Sequence, residues 1–190
     1  MKKLFFLSFL LMSFVAMAQE TSYTCEGTDI TLTCTATGGT APTISWESPS
    51  GSTVNNASVT TSEAGTWTWT IEEGGCSVSG THILIVEADP TASITINAVD
   101  NCVNTTQTIS ATGVPSGYSY SWNFGTGSTP GTSTNASEDV SYSSAGTKTI
   151  TLTIEKSFTG STNGCSPTCS WVITKNITIT ELSGSSSCAP

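Results

Sequence analysis

The feature that most constrains this chain is the period of its apolar residues, which is two. Ile30-Thr-Leu32-Thr-Cys34, Ile44-Ser-Trp46, Trp67-Thr-Trp69-Thr-Ile71 and Ile83-Leu-Ile85 alternate apolar with hydroxyl or other residues, and each run is short. A period of two sends successive side chains to opposite faces of a strand, whereas a helix needs about 3.6. The runs are separated by turn residues with no room for crossover helices, so the pattern predicts antiparallel sandwiches whose every second residue, Ile83 and Ile85 included, points inward. The outer partner is nearly always Thr or Ser. Thr suits that place because its branched β-carbon favours extended backbone while its hydroxyl stays wet. This accounts for a Ser and Thr content of about a third.

A second set of runs follows the polar stretch Ala88-Asp89-Pro90-Thr91, whose proline interrupts strand pairing. It comprises Ile94-Thr-Ile96, Gln107-Thr-Ile109, Tyr118-Ser-Tyr120-Ser-Trp122, Ile150-Thr-Leu152-Thr-Ile154, Trp171-Val-Ile173 and Ile177-Thr-Ile179. The expected division is a domain over 19–87, a linker over 88–91, a second domain over 92–181 and a tail over 182–190. A linker this short predicts a stiff two-domain rod.

Lys2 and Lys3, the apolar run Leu4 to Val15 and the small residues Ala16-Met17-Ala18 read as a secretory signal peptide over 1–18. The apolar run is too short and too interrupted, by Ser8 and Ser13, for a membrane span. Removing the signal leaves three lysines, no arginine and fourteen carboxylates, a net charge of −11. That balance excludes nucleic acid, whose phosphates need cations to displace their counterions, and disfavours anionic lipid. In an exported chain the seven cysteines, Cys25, Cys34, Cys76, Cys102, Cys165, Cys169 and Cys188, read as disulfides with at least one left over.

The first domain resembles an immunoglobulin-like fold. Ile30-Thr-Leu32-Thr-Cys34 resembles its second strand, Trp46 stands where its core tryptophan is expected, and Glu63-Ala-Gly65-Thr-Trp67-Thr-Trp69 resembles its Asp-x-Gly-x-Tyr-x-Cys corner. Trp69 replaces the second disulfide cysteine, so Cys34 lacks its usual partner and is expected to be a free buried thiol beside Trp69. Cys25-Glu-Gly27 and Gly75-Cys76 are similar to a pattern in repeated modules of bacterial cell-surface proteins. That likeness implies a Cys25–Cys76 disulfide fastening first strand to last, a closure worth about 4 kcal/mol in the chain-entropy model.

The second domain resembles a polycystic-kidney-disease-type (PKD) domain. Tyr120-Ser-Trp122-Asn-Phe124-Gly-Thr126-Gly127 is similar to that family's Trp-x-Phe-Gly-Asp-Gly turn, and Val140-Ser-Tyr142 with the Gly146 to Leu152 strand to its tyrosine loop. Thr126 replaces the acidic residue of the turn, so any cation role of that carboxylate does not carry over. Cys102 is expected to bond one cysteine of the loop from Ser157 to Cys169. Cys169 is preferred, leaving Cys165 and Cys188 to each other.

Little else promises chemistry. The sole histidine, His82, stands at the start of a predicted final strand between Thr81 and Ile83 and reads as an ordinary strand residue rather than a catalytic base. Glu72-Glu73 point to opposite faces, and with Gly74-Gly75 read as a turn; Asp100 and Glu138-Asp139 fall in predicted loops. No Asp-x-Asp-x-Asp array is present, so calcium is only an option and no cofactor is expected. Trp46, Trp67, Trp69 and Trp122 read as core, whereas Trp171 beside Tyr118 would make a binding patch if exposed. The expected function is a non-catalytic, secreted or cell-surface adhesion or spacer protein, not an enzyme, contacting protein or glycan. The alternatives are a carbohydrate-binding accessory protein and a self-associating subunit of an extracellular filament or matrix.

Overall fold

The computed structural model of the chain describes residues 19–36, 41–98, 100–160 and 167–181. Among them every regular element is a strand, and the chain divides between Glu87 and Ala88 into two compact units. The first unit holds β1 (Glu20–Cys25), β2 (Ile30–Thr33), β3 (Thr43–Glu47), β4 (Thr53–Val54), β5 (Ser58–Thr61), β6 (Gly65–Glu73) and β7 (Cys76–Glu87). The second holds β8 (Ser93–Ala98), β9 (Thr106–Thr112), β10 (Ser119–Asn123), β11 (Ser128–Thr129), β12 (Thr132–Ser133), β13 (Ser137–Tyr142), β14 (Gly146–Ser157) and β15 (Thr168–Ile179).

In the first unit a sheet of order β1-β7-β6-β3-β4 faces the pair β2-β5. This is the strand order of an immunoglobulin-like sandwich. Trp46 lies opposite Trp69 and Trp67 opposite His82, so three indoles and an imidazole share one face. They pack with Leu32, Val59 and Leu84 into a closed core. One pairing departs from the antiparallel expectation: β1 runs parallel to β7, from Glu20 beside His82 to Cys25 beside Glu87.

The inward parity of β7 is the reverse of the one expected. His82 and Leu84 are buried, whereas Ile85 is 38% exposed. The cause is Gly80, which lies opposite Trp69 and under its indole, where a Cβ would strike the ring. A glycine seated below the tryptophan puts residues 80, 82 and 84 on the core face, and Ile83 and Ile85 follow outward.

The second unit pairs a sheet of order β12-β10-β14-β15 with one of order β11-β13-β9-β8. Ile109, Trp122, Phe124, Tyr142, Leu152 and Ile154 are among the side chains that fill the space between them. The two runs around Trp171 and Ile177 are one strand: β15 pairs with β14 without a break from Thr168 opposite Ser157 to Ile179 opposite Gly146. The polar residues between the runs lack Gly or Pro to turn the chain, and Lys175 Nζ donates to Ile94 O at 2.9 Å. Glu138 and Asp139, expected in a loop, lie on β13, where Asp139 accepts from Thr108 at 2.7 Å.

The Trp122 to Gly127 turn is braced from below. Tyr142 donates its hydroxyl to Phe124 O at 2.9 Å, Asn123 Oδ1 accepts from Gly125 N at 2.9 Å, and Gly125, at φ +85°, passes so close to Thr149 O that a side chain would collide. Burial pushes the Tyr142 hydroxyl up to about 12, so it remains a donor throughout the physiological range.

Candidate functional site

Cys25, Cys102 and Cys169 are each in disulfides, chemistry that belongs to an oxidising compartment. The expected partners are wrong in two cases. Cys76 is a free, exposed thiol. The register explains why it is not bonded to Cys25: Cys25 sits beside Glu87, eleven residues along β7 from Cys76, about 36 Å at strand rise, and a disulfide tolerates less than about 7 Å between α-carbons. The backbone of Cys102 likewise forms a parallel β-bridge with Thr180, eleven residues along the chain from Cys169, so Cys102 and Cys169 cannot bond each other. Cys165 and Cys188 lie outside the described residues, as do the signal segment 1–18 and the tail 182–190.

Cys34 is a buried free thiol in the cluster that contains Trp69. Burial, reinforced by the Glu20 carboxylate, pushes this thiol up, which keeps it protonated and a poor nucleophile.

The side chains that sequence reasoning missed are those around His82. Its Nε2 lies 2.9 Å from Ser22 Oγ and its Nδ1 3.3 Å from Glu20 Oε2, while Trp46 meets the ring edge-on at 6.5 Å. Desolvation by burial pulls the imidazole below its ordinary range, against the opposing charge and hydrogen bond of Glu20. A neutral ring donating from Nδ1 to Glu20 and accepting from Ser22 at Nε2 satisfies all three groups. Serine, imidazole and carboxylate thus stand in the order of a nucleophilic triad. Ser22 is only 4% exposed and His82 2%, so the arrangement faces the core and clasps β1 to β7. No sequence motif announces it, because Glu20 and Ser22 meet His82 only through the parallel pairing of the first strand with the last.

Tyr118 and Trp171 do meet. Their ring centroids are 5.7 Å apart with planes tilted by 44°, and Lys156 Nζ lies 5.4 Å from the Tyr118 centroid. Both residues are half-buried and packed against the second core. Trp171 comes from β15 and Lys156 from its hairpin partner β14, and Tyr118 immediately precedes β10, the other neighbour of β14. The result is an aromatic pair with the Lys156 ammonium over the Tyr118 ring. Val172, the next residue, turns to the opposite face of β15 and is 65% exposed.

Among the described residues no three His, Cys, Asp or Glu side chains cluster closely enough to hold an ion. Asp100 instead accepts from Cys102 N at 3.3 Å. Glu138 takes donors from Ser133 and Asn135, which hold its carboxyl below the usual range.

No family model matches the chain, and neither does any curated protein. Solved structures of tandem immunoglobulin domains do align along it. Titin domains I67–I69, in a Glu-to-Ala variant, align at 14% identity and TM-score 0.46 over 86% of this chain and 64% of theirs. Dpr2 Ig1–Ig2, crystallised in complex with DIP-Theta Ig1–Ig3, aligns at 17% identity and TM-score 0.33 over 88% of this chain and 63% of that one. The four N-terminal domains of Dscam1 isoform 7.44 align at 11% identity and TM-score 0.35 over 87% of this chain and 44% of theirs. The chain therefore spans less than two thirds of the length of these structures. The immunoglobulin-like fold stands on the strand order of each unit.

Proposed function

We propose that this chain is a non-catalytic extracellular binding or spacer protein of a bacterial cell surface, an immunoglobulin-like domain followed by a PKD-type domain. The observation that carries the reading is the fate of the one histidine. His82 is the side chain best suited to general-base work at neutral pH, and it is spent inside the first core as a clasp between Glu20 and Ser22. The outer faces carry hydroxyl ladders such as Thr31 with Thr60, Ser93 with Thr112 and Ser110 with Ser137. Such faces suit a solvated scaffold whose loops and edges make the contacts. The PKD-type reading is supported by the hydrogen bond of Tyr142 to Phe124, which joins the two motifs that carry the resemblance. Export is supported by the three disulfide-bonded cysteines.

The test is adherence. Fluorescently labelled mature chain, residues 19–190, is expected to bind cells or extracellular matrix of the producing organism saturably, and uniform background retention would count against the reading. A second reading, glycan binding, is favoured by the Tyr118–Trp171 pair, because aromatic rings left half-buried beside one another can stack on sugar rings. Retardation in a polysaccharide gel that Trp171→Ala abolishes would select it.

A further inference from the structure

The five-stranded sheet of the first unit ends unevenly. β6 pairs with all five residues of β3, from Thr43 opposite Glu72 to Glu47 opposite Thr68. On the other side β4 is two residues long and pairs only with Trp46 and Glu47. Thr43, Ile44 and Ser45 therefore have a strand on one side and none among the described residues on the other. Successive residues of an antiparallel strand direct their N–H and C=O groups to alternate sides, so at least one of the three presents both groups outward.

A groove of about 550 Å³ runs beside this edge. Thr43, Ile44 and Ser45 line it together with Asn55, Asn56 and Glu72. Thr43 and Glu72 also line a neighbouring hollow of about 420 Å³, where Glu73 follows. The setting is uniformly anionic: residues 19–87 contain eight carboxylates and not one Lys or Arg. The only histidine there is buried.

We infer that the open edge of β3 at Thr43–Ser45 receives an extended, lysine- or arginine-bearing segment of a partner protein by strand addition. Backbone groups of the edge supply the pairing, half-buried Ile44 offers an apolar contact, and the cationic side chains of the guest face Glu72. A second copy of this unit carries the same eight carboxylates and no Lys or Arg, so like charge opposes it. The inference rests on the binding function proposed above and names its site and the chemistry of its partner.

The experiment uses mature chain 19–190 labelled for amide NMR, and three peptides of about ten residues, a length that covers one strand. One alternates Lys with Val, one alternates Glu with Val, and one keeps the lysines but replaces valines with prolines, which cannot pair as a strand. The Lys-Val peptide is expected to shift and protect amides within Thr43–Ser45, and its affinity to fall at least about tenfold between about 0.01 and 1 M salt as the Debye length shrinks. Glu72→Gln is expected to weaken it severalfold, and the other two peptides to leave these amides unprotected. Equal protection by the Glu or the proline peptide would overturn the inference. So would binding that perturbs amides elsewhere, or sedimentation showing a dimer whose own contact protects Thr43–Ser45. Cell adherence that persists with no peptide response at this edge would sink the edge site and leave the adhesion reading standing; the reverse pattern would do the opposite.

Discussion

His82 enters the folded chain neutral, and this has a direct consequence for stability. Burial lowers its proton affinity below that of the unfolded chain, where an imidazole titrates near pH 6.5. As pH falls through that value the unfolded state takes up a proton that the folded state refuses. The contribution of His82 is therefore intact above about pH 6.5 and is lost as pH drops toward the folded value. The midpoint of chemical denaturation is expected to fall between pH 7 and pH 5, and Ser22→Ala to destabilise the first unit by about 1–3 kcal/mol at pH 7, by leaving a buried ring nitrogen unpaired. A denaturation midpoint independent of pH across this window, together with a silent Ser22→Ala, would show that the clasp does not hold. Tyr142 behaves oppositely: its raised value keeps the phenol protonated when the unfolded chain would ionise, so its contribution is lost as pH rises from about 10 to about 12.

Register decides the chemistry of the thiols at the scale of the strands. β7 is twelve residues long, so its two ends belong to opposite ends of the first unit. Cys76 starts it in the exposed hairpin after Gly74-Gly75, while the Cys25 end lies beside Glu87. Cys34 sits inside, where its pairing position extends the β2-β5 ladder through Ala57 O at 2.9 Å. A thiol reagent is expected to modify Cys76 in the native protein within the dead time of ordinary labelling, and Cys34 only after denaturant is added. Peptide mapping of the two alkylated sites checks this. Native labelling of Cys34 at the rate of Cys76 would mean that the first core opens far more readily than its packing implies. Gly80 shows the same dependence on register, since its missing side chain is what seats Trp69.

At the scale of the whole molecule, the described residues form two cores, one built on Trp46, Trp67 and Trp69 and the other on Trp122, Phe124 and Tyr142. Each has its own pair of sheets and its own ladder hydrogen bonds. Truncating one core should therefore leave the other standing. Trp122→Ala is expected to cost about 3–5 kcal/mol and to abolish slow hydrogen exchange across β9 to β15, while protection in β6 and β7 survives. Loss of protection in both units would show that they unfold as one.

Sequence alone determined the all-β class, the tandem division and the burial of Trp46, Trp67, Trp69 and Trp122, because a period-two pattern of branched and aromatic residues has one low-energy arrangement, a half-buried strand. The pairing of cysteines, the inward turn of His82 and the open edge at Thr43–Ser45 were decided only by tertiary structure. Each depends on which residues from distant parts of the chain lie opposite one another, and a shift of one residue exchanges the two faces of a strand. Cys25 and Cys76 read as partners in one dimension and stand at opposite ends of a twelve-residue strand in three. Glu20, Ser22 and His82 are unremarkable along the chain, yet the parallel seating of β1 beside β7 makes them one hydrogen-bonded cluster.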